Sequence, residues 1–369
     1  MLTRTFISFF LLSCMLPLAA NDQIDGSSYP DAHQRFSLVE AVDLPDIEPG
    51  RVLLERGEID SLIRPVAGKR FQLQSLEQHI QNTSGRLEFQ RITLFADHAE
   101  VRELSSRGEQ LRPRGNREFF LATNRTTGVG MAVDRNTGEV RGFIARNRSK
   151  LEIKGSLLGA LQLTEIHETG SATCASNLSE HSLGSNPEAV MAPYVSQSNA
   201  LPGEIISYEA VVAVDTDNEW MDGFNDDADA AMRWIEDAFL AMNVFFERDL
   251  ELRLLIGDVF LRTETDLYSV TGGNRSDQLD EFGAYWKDHH SDVYRQFATL
   301  FSGRDISGWS FSGIAWLDQY CEYGRNWGGR TPGSYSFNAI GDRRSAAGTA
   351  LYIGHELGHN LGSPHTHCY

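Results

Sequence analysis

The chain has 369 residues, 41% of them hydrophobic and 23% charged, enough to build two ordinary domains with proper cores and too well mixed for a fibrous or wholly disordered protein. A formal net charge of -18 repels phosphate backbones, so nucleic acid is not an expected partner.

The first twenty residues carry the order of an export signal: Arg4, an apolar run from Phe6 to Leu16, then Leu18-Ala19-Ala20 before Asn21. That run is too short to span a bilayer and no later stretch is apolar enough, so a secreted, extracellular protein without a transmembrane segment is expected. Leu11-Leu12-Ser13-Cys14 loosely fits a bacterial lipobox, and tethering through a lipid on Cys14 is the alternative to release. From Val52 to about Ile166 the pattern is strand-like. Gly128 to Val133 and Glu139 to Ile144 flank the polar turn Asp134-Arg135-Asn136-Thr137-Gly138, which predicts a hairpin. Glu168 to Gly203, rich in Ser, Asn, Gly and Pro, reads as an exposed connector that a processing protease could cut.

Beyond it, Ile205 to Val214 reads as a strand buried on both faces, and Asp226 to Arg248 as a helix with a broad apolar face. Leu252 to Leu261 returns to strand character. Asp277 to Phe301 has helical spacing, Ser312 to Leu317 is a short strand, and Gly324 to Gly341 reads as a glycine-rich loop. The expected fold is α+β or mixed α/β: a signal peptide over 1–20, a β-rich first domain with its linker over 21–200, and a second domain over 201–369 with a twisted mixed sheet and long helices. Asp215, Asp217, Asp222, Asp226, Asp227 and Asp229 lack an EF-hand arrangement, so calcium is unsupported and a solvated helix start is the expectation there.

The chemistry is carried by the run from His355 to His365. His355 and His359 are four apart, so on a helix starting near Ala346 both imidazoles share one face and can ligate a single ion. Glu356, beside the first ligand, can take a proton from the hydrolytic water. Gly362 permits the left-handed turn that ends the helix and brings His365 back as third ligand, leaving one coordination position for water and substrate. His367 has the wrong spacing for that role. A structural zinc site usually closes with four protein ligands and needs no Glu here. The expectation is therefore a zinc-dependent endopeptidase with one catalytic Zn2+ acting on protein or peptide substrates. The competing reading is a secreted zinc-binding adhesion module without catalysis, or an inactive fragment.

These residues resemble the metzincin signature. Ser312-Gly313-Ile314-Ala315-Trp316-Leu317, Cys321, Asn360-Leu361-Gly362 and Cys368 look like the adamalysin (reprolysin) branch, which includes ADAM-type proteases. The resemblance implies that residues before about Leu201 form a propeptide acting as an intramolecular inhibitor. It implies that Gly313, Ile314, Ala315 and Trp316 lie on the edge strand along which an extended substrate binds, and it favours Cys321 with Cys368 as the disulfide. Cys174, within the connector and just before the expected processing site, is a candidate latency ligand resembling the cysteine switch of related precursors, with a disulfide partner or a buried thiol as alternatives. Metzincins continue past the third His to a turn carrying Met. No Met follows His359 here, so a fragment lacking the lower subdomain is expected, with a protein that manages without that subdomain as the alternative.

Overall fold

The computed structural model describes residues 49–66, 68–80, 85–146, 149–166, 208–264, 267–269, 277–304, 313–340 and 345–365. The expected signal peptide with Cys14, the connector with Cys174, and Ser312, His367 and Cys368 lie outside these residues.

The architecture is mixed α/β. In the N-terminal half, strands β1 (Gly50–Leu53), β2 (Gln90–Ile92), β5 (Arg117–Thr123), β6 (Thr127–Asp134), β7 (Glu139–Arg146), β8 (Ser149–Ser156) and β9 (Ala160–Glu165) form an antiparallel sheet in the order β1-β9-β8-β7-β6-β5-β2. The β6–β7 hairpin is the one the sequence predicts: Asp134 accepts from the amides of Asn136 and Thr137, and Gly138 turns with φ 72°. Two short helices, α1 (Arg56–Ile63) and α2 (Gln74–His79), contribute Leu62 and Leu76 to the core on one face of this sheet.

The second sheet has the order β13-β14-β12-β10-β11-β3-β4. Its members are β3 (Val101–Ser105), β4 (Gly108–Arg112), β10 (Tyr208–Thr216), β11 (Leu252–Arg262), β12 (Phe297–Ser302), β13 (Gly313–Ala315) and β14 (Tyr335–Ala339). Strands β3, β11, β10, β12 and β14 run parallel, while β4 and β13 are antiparallel at the two edges. The hairpin β3–β4 therefore crosses from the N-terminal half into this sheet.

Helix α4 (Ala228–Leu250) lies between the two sheets. Asp227 caps its start by accepting from the amides of Asp229 and Ala230. Toward the second sheet, the Asn243 amide bonds both the N–H and the C=O of Leu254. Helix α6 (Ala346–Asn360) shares this central layer, with Ala350, Ile353 and Leu357 in the same core. The short helix α3 (Asn218–Asp222) precedes α4. On the other face of the second sheet, α5 (Asp277–His289) buries Leu279, Phe282 and Trp286.

Three expectations are corrected. The helical spacing read from Asp277 to Phe301 ends at His289, and Phe297 to Ser302 is instead a strand flanked by parallel neighbours. The glycine-rich stretch contains β14, whose five residues are all buried. The acidic start of the second domain is only partly solvated. Asp215 and Asp217 are fully buried. Asp217 caps α3 by accepting from Trp220 N–H and also receives Gly303 N–H. Asp215 takes a fork from Arg262 at 2.8 Å on each oxygen, together with the Tyr268 hydroxyl at 2.6 Å and the Trp286 indole at 2.9 Å.

A buried carboxylate with this many donors is stable only while they remain. Arg262→Met is expected to cost roughly 3–5 kcal/mol, because it strands the Asp215 charge away from water. Urea unfolding of the variant checks this; a loss below about 1 kcal/mol would mean the pair is not held as described.

Candidate active site

Helix α6 is set by its ends. The Ser345 hydroxyl accepts from Gly348 N–H at the start. At the other end Gly362 adopts φ 90°, its N–H donates to His359 C=O at 2.8 Å, and Ser363 N–H donates to Gly358 C=O at 2.9 Å. This is a Schellman closure, which needs a left-handed residue at Gly362 and satisfies two carbonyls that the helix leaves over. A Cβ at Gly362 would also stand 3.2 Å from Asp318 Oδ1.

The reversal brings His365 back over the helix. The Nε2 atoms of His355, His359 and His365 form a triangle with sides of 3.0, 3.1 and 3.1 Å. Nitrogens bound tetrahedrally to zinc at about 2.0–2.1 Å would lie roughly 3.3 Å apart, so the triangle fits one such ion with little adjustment. Among the described residues, this is the group of three potential ligands brought within reach of a common ion. His359 Nδ1 lies 2.7 Å from Ser363 C=O, which assigns the proton to Nδ1 and leaves Nε2 as a lone pair. Burial pushes the His359 pKa down to about 4, assisted by the two neighbouring imidazoles and opposed by the Ser363 contact. His359 is thus neutral near pH 7, the form in which imidazole ligates a metal.

Glu356 is 2% exposed and lies against the edge strand β13. A Cβ added at Gly313 would stand 2.5 Å from Glu356 Oε1 and 2.7 Å from its Cγ, so only glycine leaves this carboxylate where it is. On the endopeptidase expectation from the sequence, Gly313→Ala should lower peptide cleavage roughly 10²-fold by displacing Glu356, with zinc content unchanged. Steady-state kinetics beside metal analysis checks this, and unaltered turnover would show that the close packing has no catalytic consequence.

The edge strand and the histidine helix are tied together by a residue whose part the sequence reading did not single out. Asn360 Nδ2 donates to Trp316 C=O at 2.8 Å and to Tyr335 C=O at 3.1 Å, from the turn of α6 that carries His359. Asp318 N–H and Gln319 N–H donate in return to His359 C=O and Asn360 C=O. An asparagine buried at the end of an apolar helix face was the available signal, since such an amide must find partners. Ile314, Ala315 and Trp316 are buried, and Arg330 stacks over the Trp316 ring while its Nε bonds Asp280 at 3.0 Å. Among the described residues, β13 pairs on one side only, with β14. A pocket of about 330 Å³ opens between the triad and the C-terminal turn of α4, lined there by Phe245, Phe246 and Leu250. Cys321 is half-buried; its expected partner Cys368 and the candidate latency ligand Cys174 lie outside the described residues.

Residues 208–369 match the family model Reprolysin_5, metallo-peptidase family M12. The M12 match begins at β10 and includes α4, the edge strand and all three histidines, and it leaves out the N-terminal sheet. M12 metallopeptidases use zinc, which agrees with the donor set of the triad. Among solved structures, the chain is similar to metalloproteinase-II from Bacteroides fragilis at 10% identity and a TM-score of 0.39, over 76% of this chain and 78% of that one. No curated protein sequence matches the chain.

Proposed function

We propose that this protein is a zinc-dependent endopeptidase of the adamalysin or reprolysin-like branch, exported as a precursor. The observation that carries the proposal is the triangle of three Nε2 atoms, one of them a lone pair fixed by the Ser363 carbonyl. Three imidazole nitrogens facing one another at this distance cannot all hydrogen-bond to one another, and a shared cation resolves the repulsion. Zinc bound there would polarise a scissile carbonyl and lower the pKa of water toward neutrality.

The rest is the work of the chain itself. Glu356, adjacent to the first ligand, accepts the proton of the attacking water and returns it to the leaving amine. Gly313, Ile314 and Ala315 offer the edge of β13, which pairs on one side only among the described residues, to an extended substrate whose main chain is recognised whatever its side chains. Asn360 holds that edge in register with the histidines. Export rests on the charge-then-apolar order of residues 1–20, and no helix among the described residues is long and apolar enough to cross a membrane. Latency through Cys174 and a Cys321–Cys368 disulfide belong to the same reading and rest on the sequence alone.

Removal of metal tests it. Processed protein is expected to cleave an unfolded protein substrate, to lose that activity on chelation and to regain it with one equivalent of zinc. Cleavage that persists without metal would refute the assignment.

A further inference from the structure

We infer that residues 49–166 are a permanent layer of the C-terminal fold, so that a cut between Ile166 and Tyr208 leaves a two-chain protein and releases nothing. The inference stands apart from the peptidase reading, because it concerns what holds the two halves together.

The first argument is the sheet. Val101 to Leu104 pair in parallel with Val259 to Arg262, so β3 is the neighbour of β11 on the side away from β10. The contact extends beyond the strands: Ala96 N–H donates to Ile256 C=O, Ile256 N–H to Leu94 C=O, Val259 N–H to Glu100 C=O and Thr263 N–H to Leu104 C=O. Departure of the N-terminal half would strip these partners from β11 and leave a long strand edge, dense in buried Leu254, Ile256, Val259 and Leu261, open to aggregation.

The second argument is the helix. Glycines at 128 and 130 let β6 approach α4 so closely that a Cβ would stand 2.5 Å from Val244 Cγ1 and 2.9 Å from Leu240 Cγ. Phe119, Leu121, Ala132 and Phe143 of the N-terminal sheet belong to one core with Ile235, Phe239, Leu240 and Val244. The same seam is pinned by charge: Arg117 of β5, with 4% of its side chain exposed, pairs with Glu236 and Asp237 of α4. A helix buried on both sides has no solvated face to present once one sheet is gone. Those apolar side chains, at roughly 25 cal/mol per Å² of burial, oppose separation.

The third argument is access. The pocket beside the His triad is lined by residues between Phe245 and His365, none of them from 49–166. Among the described residues, this side of the triad is therefore walled by the C-terminal half alone.

The test uses the full chain carrying a site-specific protease sequence inserted at 188–189, cut to completion and run on a sizing column in native buffer. Both fragments are expected to elute together at the volume of the uncut protein and to separate only in denaturant. Amide exchange is expected to leave Ile256 and Val259 as protected in the cut protein as in the uncut one. Elution of a folded 208–369 fragment by itself, or exchange at these two amides accelerated by about tenfold or more on cutting, would overturn the inference. Neither measurement involves metal or hydrolysis, so its failure is distinct from failure of the peptidase reading.

Discussion

Glu356→Gln is expected to lower peptide cleavage by at least the roughly 10²–10⁴-fold that a positioned general base contributes, while the protein still binds one zinc per chain. The substitution is chosen for shape. Gln is nearly isosteric with Glu, so the contact with Gly313, where there is no space for even one added carbon, is preserved. What is lost is the capacity to take a proton. The carboxylate sits 2% exposed, one residue on from His355. If Glu356 were structural only, Gln would shift the melting temperature and leave turnover per folded, zinc-loaded molecule intact. Activity within tenfold of the parent at equal zinc content would remove Glu356 from the reaction.

The site was legible in the sequence because its determinants are local. An i, i+4 histidine pair on a helix, a glycine that must reverse the chain, and a third histidine three residues later lie within eleven residues, and helix geometry with the turn at Gly362 brings them together. Helix α4 was legible for the same reason: Ala228–Leu250 against an expected Asp226 to Arg248 differs only at the ends. What was not legible depends on distant partners. Asp215 looks like one more acid before a helix until Arg262, 47 residues on, forks onto it beneath Tyr268 and Trp286. Phe297 and Leu300 continue a helical spacing, but their backbone lies between β10 and β14, and sheet pairing overrides a pattern that short apolar runs leave ambiguous. Tyr335 to Ala339 was hidden among glycines whose turns are needed on its flank, as at Gly324, Gly328 and Gly329, all with positive φ. The crossing of β3 into the second sheet joins residues 158 apart, as in the pairing of Val101 with Val259, which no periodicity can announce.

His355→Ala is expected to remove most of the zinc-linked stabilisation of the protein and yet leave the metal-free protein within about 0.5 kcal/mol of the parent, as for an ordinary exposed substitution. His355 differs from its two fellows in being exposed, whereas His359 is buried and bonded to Ser363, so its loss would confound folding with ligation. In the parent, zinc at 1,000 times its dissociation constant raises stability by about 4 kcal/mol through mass action. With two ligands left, affinity is expected to fall by roughly 10³-fold or more, beyond the roughly 10–100-fold seen when only an outer partner of a ligand is lost, and at the same zinc concentration the stabilisation should drop from about 4 to about 0.4 kcal/mol or less. Differential scanning fluorimetry with and without zinc reads both quantities on one sample. His367→Ala is the matched control: it stands two residues past the third ligand, has the wrong spacing from Gly362, and should retain the full shift. A zinc response kept by His355→Ala and lost by His367→Ala would mean that a different set of nitrogens holds the ion, and the roles of Gly362 and Asn360 in assembling the site would fall with it.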